Sequence, residues 1–368
     1  MSTYGQKSKE SYEKACLRLR DRDAIIVDEN IIFRVYGYFH PPRGYICDVE
    51  YAPSDIFKSK DPRAIRQAGS KVFYKFYSDE GLRFILQHYP KYTVIYKPLR
   101  RKLVGVRERY IKEIRKPEIK LQALLRKTPM DNLLKALGNV IDIVTNRSGL
   151  SSRNFGVFGS LLHGFYHPEF SDIDLIIYGK SQLTKLRDSL KELYCEQDSP
   201  LKNEFENREV LRNKRWRFLN YSKEEFLMHQ RRKMIYAVFY DKKIGRRIKV
   251  EFEPVKEWNE IYNEYDDKMK ITKIGWIRAV AKVKDDLESP FMPSIYKIEL
   301  SEILEGPKID EVERILSYVE EFRMQAEKDE LVLVEGNLEQ VTTNKASFHQ
   351  ITLTYGPRYY QQVLKVIR

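Results

Sequence analysis

Two aspartates set into the run Ser171-Asp172-Ile173-Asp174-Leu175-Ile176-Ile177 constrain this chain more than any other feature. The run is β-branched and apolar enough to predict a strand. Residues two apart on a strand share a face, so Asp172 and Asp174 project together while Ile173, Leu175 and Ile177 point into a core. Neighbouring carboxylates at the edge of a core repel one another, and a hard cation such as Mg²⁺ between them relieves that repulsion. The strand therefore has to begin beside solvent and beside a cation.

The residues upstream supply the rest of such a site. Asn154–Phe158 is a short strand candidate that ends in Gly159-Ser160, where a helix begins. Glycine lets a phosphate approach the backbone, the first helical N–H groups are unpaired, and Ser160 can cap the helix or donate to a phosphate oxygen. A third carboxylate is expected from a later strand, Arg246–Pro254, whose Ile248, Val250 and Phe252 form a buried face. Glu251 and Glu253 share its other face. Glu251 is preferred because it lies inside the strand, whereas Glu253 abuts Pro254. Each piece alone is common in purely structural settings, and it is their joint spacing in a strand–turn–helix–strand context that points to an active site.

Gly159-Ser160, Gly164, Asp172, Asp174 and the distant Glu251 together resemble the DNA polymerase β-type nucleotidyltransferase superfamily, and the chain as a whole is similar to archaeal predicted nucleotidyltransferases. The motif occupies residues 154–254 and the flanks resemble that group only loosely. The resemblance implies a mixed sheet with helices behind it, two Mg²⁺ (or Mn²⁺) ions held by Asp172, Asp174 and Glu251, and transfer from an NTP, with ATP favoured. It also implies that Gly159 and Ser160 hold the triphosphate. Two departures stand out. His163 precedes Gly164 where many members have Arg or Tyr, and Glu serves as third acid where Asp is commoner. The expected nucleotide-binding set is Gly159, Ser160, His163, Gly164, Ser171, Arg231 and Arg232; Arg231-Arg232-Lys233 fits either one cation that neutralises the leaving pyrophosphate or a solvated helix face.

Other chemistries lack support. His163 and His167 have a zinc spacing, but Gly164 and Pro168 spoil the helix, and no Cys or paired His joins them. His167-Pro168-Glu169 lacks the Pro-Cys-x-x-Cys of a zinc deaminase. No Walker A loop or Gly-x-Gly-x-x-Gly occurs. Three scattered cysteines and no Cys-x-x-Cys exclude a disulfide scaffold, and no run approaches a membrane span or a signal peptide core. A reduced, cytoplasmic protein without a membrane partner is the expectation.

The 368 residues predict an α+β chain of three parts: an N-terminal α+β region (1–100), a catalytic domain with a basic helical lead-in (101–268), and a C-terminal small β-barrel or sandwich (269–368). The net charge of +13 is uneven, since residues 299–339 carry thirteen acids and four bases and leave +22 elsewhere. Residues 100–127, with eleven Lys/Arg against three Glu, are expected to be helical from Val106 onward. In 208–233, Arg208, Arg212, Lys214, Arg215 and Arg217 interleave with Trp216, Phe218 and Tyr221. Such a pattern fits either an RNA grip that stacks bases or a loop whose aromatics plug a core. Lys223–Phe239 reads as one helix.

The functional expectation is nucleotidyl transfer to a hydroxyl of RNA, tRNA-like or otherwise structured, with no DNA template. Its rivals are transfer to a protein or small molecule, and a non-catalytic nucleotide- or RNA-binding module on the same fold.

Overall fold

The computed structural model describes residues 18–206 and 216–367, which build three sheets, each with its own apolar core. The first sheet holds β1 (Ala24–Ile26), β2 (Ile32–Val35), β3 (Gly44–Pro53), β4 (Ile65–Ala68), β5 (Lys71–Lys75), β6 (Thr93–Tyr96), β7 (Arg101–Arg107) and β8 (Glu113–Arg115), with α1 (Glu80–His88) packed on it. Its main path runs β4-β5-β3-β2-β1-β8, and β7 joins β3 to β6. The expected hairpin is the β2–β3 pair. The expected helix from Val106 is corrected: Tyr45–Val106 and Ile25–Ile114 are strand pairs, and only α2 (Pro117–Leu125) is helical. The basic residues of 100–115 thus sit on a sheet that extends past residue 100, so the boundary expected there falls inside it.

The middle unit is wound from α2, α3 (Asn132–Ser148), β9 (Phe155–Val157), α4 (Gly159–His163), β10 (Ile173–Tyr178), α5 (Lys180–Cys195), β11 (Leu201–Asn203), α6 (Lys223–Arg232), β12 (Tyr236–Tyr240) and β13 (Arg247–Val255). Asp131 caps α3 by accepting from Leu134 N at 3.0 Å, and Gly149 ends it in the left-handed region. The apolar stripe Leu133, Leu137, Val140, Ile141 and Val144 then packs with α5 against Ile173, Leu175, Ile177, Val250 and Phe252. The sheet order is β11-β12-β13-β10-β9, and β10 and β13 form its parallel pair. A second correction falls here: the helix expected over Lys223–Phe239 stops at Arg232, the chain turns through Met234 at φ +53°, and Tyr236-Ala237-Val238-Phe239-Tyr240 is strand.

The third sheet is ring-like. Strands β14 (Lys270–Glu288), β15 (Ser294–Glu305), β16 (Arg314–Ser317), β18 (Ser347–Leu353) and β17 (Leu331–Thr342) pair in that order, β17 returns to β14, and β19 (Val363–Val366) adds to β17. Side chains of Ile277, Ala279, Ala281, Val283, Val332, Val334 and Ile351 fill it.

Candidate active site

Parallel pairing sets Asp174 of β10 directly beside Glu251 of β13. Adjacent strands lie about 4.8 Å apart, so two carboxylates leave one face of the sheet side by side. Asp172, exposed, precedes them on the same face. Burial, and then the charge of Asp172, push the Asp174 carboxyl up to about 6. Among the described residues the Asp174 carboxylate has no hydrogen bond or ion pair.

The glycine–serine turn is fitted to that carboxylate. Phe158 N donates to Asp174 O at 3.1 Å, which ties the end of β9 to β10. Gly159 follows at φ +58°, and a Cβ on it would stand 2.6 Å from Asp174 Oδ2. Any other residue would both strain the backbone and displace the acid. Ser160 stays partly open in α4, and Gly164 closes the helix at φ +72°. Ser171 acts within its own loop: Oγ accepts from His167 N at 2.8 Å, and the Ser171 carbonyl accepts from Arg246 Nη2 at 2.8 Å.

Two residues along β13 the situation reverses. Glu253 is 3% exposed and is gripped by Arg323, whose Nη2 donates to Oε1 at 2.7 Å and whose Nη1 meets Oε2. Arg22 Nη2 also donates to Glu253 Oε2, at 2.8 Å. Burial alone would raise this carboxyl, but Arg22 and Arg323 outweigh it and hold it well below the usual range. Glu251 is shifted the other way, upward, by burial and then by the charge of Glu253. Three arginine hydrogen bonds occupy most of the acceptor sites of Glu253. Glu251 is the acid directly beside Asp174 in the ladder.

Several expected site residues lie elsewhere. The His163 side chain is wholly buried, with Nδ1 3.2 Å from Arg115 Nη1, Nε2 3.4 Å from Glu50 Oε2, and rings of Tyr51 and Phe165 around it. It belongs to the seam between the first two sheets, so nucleotide contact by His163 is corrected to packing. Arg232 pairs with Glu330 at 2.9 Å and Glu327 at 3.3 Å of the third unit, and Arg231 Nε lies 3.8 Å from Glu206. Trp216 stacks on Phe226 at 3.9 Å, Phe218 packs on Phe322, and the Tyr221 hydroxyl donates to Leu364 O at 2.6 Å. These aromatics plug a core, and the base-stacking alternative for them is corrected. Arg217 Nη1 reaches Tyr360 Oη at 3.2 Å. Arg208, Arg212, Lys214 and Arg215 lie outside the described residues.

Sequence reasoning missed the covering of the site. Arg20-Asp21-Arg22-Asp23, four charges in a row, is buried throughout. Arg20 lies 3.6 Å over the Tyr178 ring and Arg22 5.4 Å from that of Phe158, so this segment roofs the deep end of the face that carries Asp174. The alternating signs abutting a strand were the available signal. Lys249, two before Glu251 on the same face, pairs with Glu204 at 3.0 Å. Lys233 is fully buried behind Glu251, its Nζ donating to Glu321 O at 2.6 Å, and burial and then Arg323 bring its pKa down to about 7.

The donor set suits a hard divalent ion, because Asp174 and Glu251 are oxygen ligands, adjacent, and costly to ionise without a cation. Among the described residues no three His, Cys, Asp or Glu side chains stand grouped around one point in the arrangement seen here. No helix is long and apolar enough to cross a membrane.

Comparison with known proteins bears out the resemblance read from the motif. Residues 137–240 match the family model of the nucleotidyltransferase domain, a span that includes Gly159, Ser160, Asp172 and Asp174 and ends before Glu251. The chain is also similar to the uncharacterized protein MJ1086 of Methanocaldococcus jannaschii, 25% identical over 328 residues that cover 88% of this chain and 92% of that one. No solved structure matches it.

Proposed function

We propose that this chain transfers a nucleoside monophosphate from an NTP, ATP for preference, to an acceptor hydroxyl. The observation that carries the reading is the in-register pair Asp174 and Glu251, set against Gly159, with no Lys or Arg among the described residues bonded to the Asp174 carboxylate. Asp172, Asp174 and Glu251 would hold the divalent ions, Mg²⁺ or Mn²⁺, Glu251 on the side of the attacking hydroxyl. Bound there, the ions supply charge neutralisation at the phosphates and activate the hydroxyl. Gly159 and Ser160 admit the triphosphate close to the backbone. The hydroxyl gives up its proton to water, its oxygen bonds to the α-phosphorus, the bond to the bridging oxygen breaks in line, and that bond's electron pair leaves with pyrophosphate. Positioning by rigid strands supplies most of the rate.

RNA is the proposed acceptor, on the strength of +22 charges outside residues 299–339. A second reading, transfer to a protein or small molecule, gains from the finding that Trp216, Phe218 and Tyr221 are occupied in a core and cannot stack bases. Incubation with each labelled NTP, Mg²⁺ or Mn²⁺ and total RNA separates them. Ribonuclease-sensitive label that vanishes in Asp174→Ala supports the first reading. Label on protein or small molecules supports the second. Label that survives in Asp174→Ala, or no label with any acceptor, refutes the mechanism.

A further inference from the structure

The first sheet packs against the end of the short helix that Gly159-Ser160 begins. Phe73 of β5 packs on Phe165 at 4.8 Å between ring centroids, and Tyr51 of β3 packs on both Phe165 and His163 at 5.3 Å. Phe165 and His163 end the turn that Gly159-Ser160 begins, since Phe165 N donates back to Ser160 O at 2.9 Å. Lys75 shares this surface twice over. It lies two residues from Phe73, hence on the same face of β5, and it is the cross-strand partner of Tyr51. A register shift in β2–β3 at Glu50 adds one residue to β3 there, and a bulge of this kind lets Glu50 and Tyr51 both serve the same side.

Lys75 is half-buried, and among the described residues it has no ion pair. Its Nζ lies 5.8 Å from the Tyr77 ring. The carboxylate nearest to claim it, Glu50, already serves His163 at 3.4 Å and Arg34 at 3.8 Å. Lys75 thus sits on the face of β5 and β3 whose Phe73 and Tyr51 pack on the end of the Gly159–Phe165 turn, and its charge is felt at both Asp174 and Glu50. A half-buried ammonium with no acid of its own, opposite a glycine turn open to phosphate, lacks an anion.

We infer that Lys75, contributed by the N-terminal sheet and outside the nucleotidyltransferase segment, grips the polyphosphate tail of the bound NTP. The inference rests on the nucleotidyl-transfer reading and adds to it that the catalytic domain is incomplete without the first sheet. Lys75 takes no proton in the reaction. It offsets the charge that collects on the pyrophosphate as the α-phosphorus bond breaks.

The test is binding and turnover by the full chain with Lys75→Gln and Lys75→Arg, beside Asp174→Ala. Calorimetry with Mg²⁺ and a non-hydrolysable ATP analogue, inorganic pyrophosphate, or AMP reads the tail directly. Lys75→Gln is expected to weaken the analogue and pyrophosphate about 10- to 100-fold, to leave AMP within about twofold, and to keep the melting temperature. Lys75→Arg is expected to restore most of the loss. Equal weakening of AMP and the triphosphate, or no weakening of either, overturns the assignment while leaving nucleotidyl transfer intact. A wild-type chain that binds neither analogue nor pyrophosphate overturns both.

Discussion

Glu251 and Glu253 are the same residue type, on the same face of the same strand, two positions apart, and the fold uses them in opposite ways. At Glu253 two arginines, one from residue 22 and one from residue 323, close on a carboxylate removed from water. At Glu251 no arginine among the described residues makes a bond, and the neighbour across the ladder is another acid, Asp174. Buried charge that is paired serves the fold, joining three sheets through one side chain. Buried charge that is left beside like charge costs stability and is tolerated where a ligand offsets it. The contrast marks Glu253 as a structural carboxylate and Glu251 as the one that the proposed function would use.

The sharpest way to break that contrast is to neutralise each acid in turn. Glu251→Gln is expected to lower nucleotidyl transfer at least about 10³-fold, the several kcal/mol that charge stabilisation at the reacting phosphate supplies. Its thermal unfolding midpoint should stay level or rise. Glu253→Gln is expected to do the reverse. It leaves Arg22 and Arg323 buried without their acid, at a cost of about 3–5 kcal/mol, read as a lower denaturant midpoint. Equal effects of the two substitutions on stability and on turnover would erase the distinction.

A smaller effect follows from Asp174. Its folded-state pKa of about 6 lies above the ordinary 3.8, so its protonated form is favoured by folding. The stability this gives is fully present below pH 3.8 and is lost as pH rises through about 6. Without metal, the wild type should lose up to about 3 kcal/mol across that window relative to Asp174→Asn. Asp21 and Asp23, also raised to about 6 by burial, act in the same direction and cancel in the difference. Mg²⁺ selects the ionised carboxylate, so its stabilisation of the wild type should grow as pH rises to about 6, level off above it, and be reduced in Asp174→Asn. A pH-independent difference between the two proteins would contradict the carboxylate's unpaired state.

The parts of this architecture that were legible in sequence are those written in short-range periodicity. Helices α1 and α3 and strand β10 each declare themselves within a window of a few residues. The motif at Gly159 and Asp174 is likewise local, since both acids and the turn lie within one strand–helix–strand unit. The end of β7 from Val106, the strand β8 and the strand at 236–240 read as helix because the charges at 100–127 and the strong start at Lys223 outweigh weaker cues. Gly105 was such a cue: a Cβ there would stand 2.3 Å from Tyr45 O, so the position demands glycine in a tight ladder. The break at Met234 carries no such mark, being a non-glycine residue at φ +53°. Least legible was the pairing of Arg22 with Glu253, because partners 231 residues apart share no local pattern.

The smallest expected effect tests the remaining basic surface. Arg217 makes one bond, to Tyr360 Oη at 3.2 Å, near the surface of the third unit. Its neighbours Trp216 and Phe218 are committed to the core, so only its charge is left to serve a partner. Arg217→Ala should shift the unfolding midpoint by less than about 0.5 kcal/mol. If RNA follows this edge of the molecule, the same substitution lowers the slope of log affinity against log salt by about one, uniformly over RNA sequences. An unchanged slope assigns the RNA path to other cations. A large stability loss would mean that the contrast between paired and unpaired charge, clear inside the molecule at Glu251 and Glu253, does not extend to its surface.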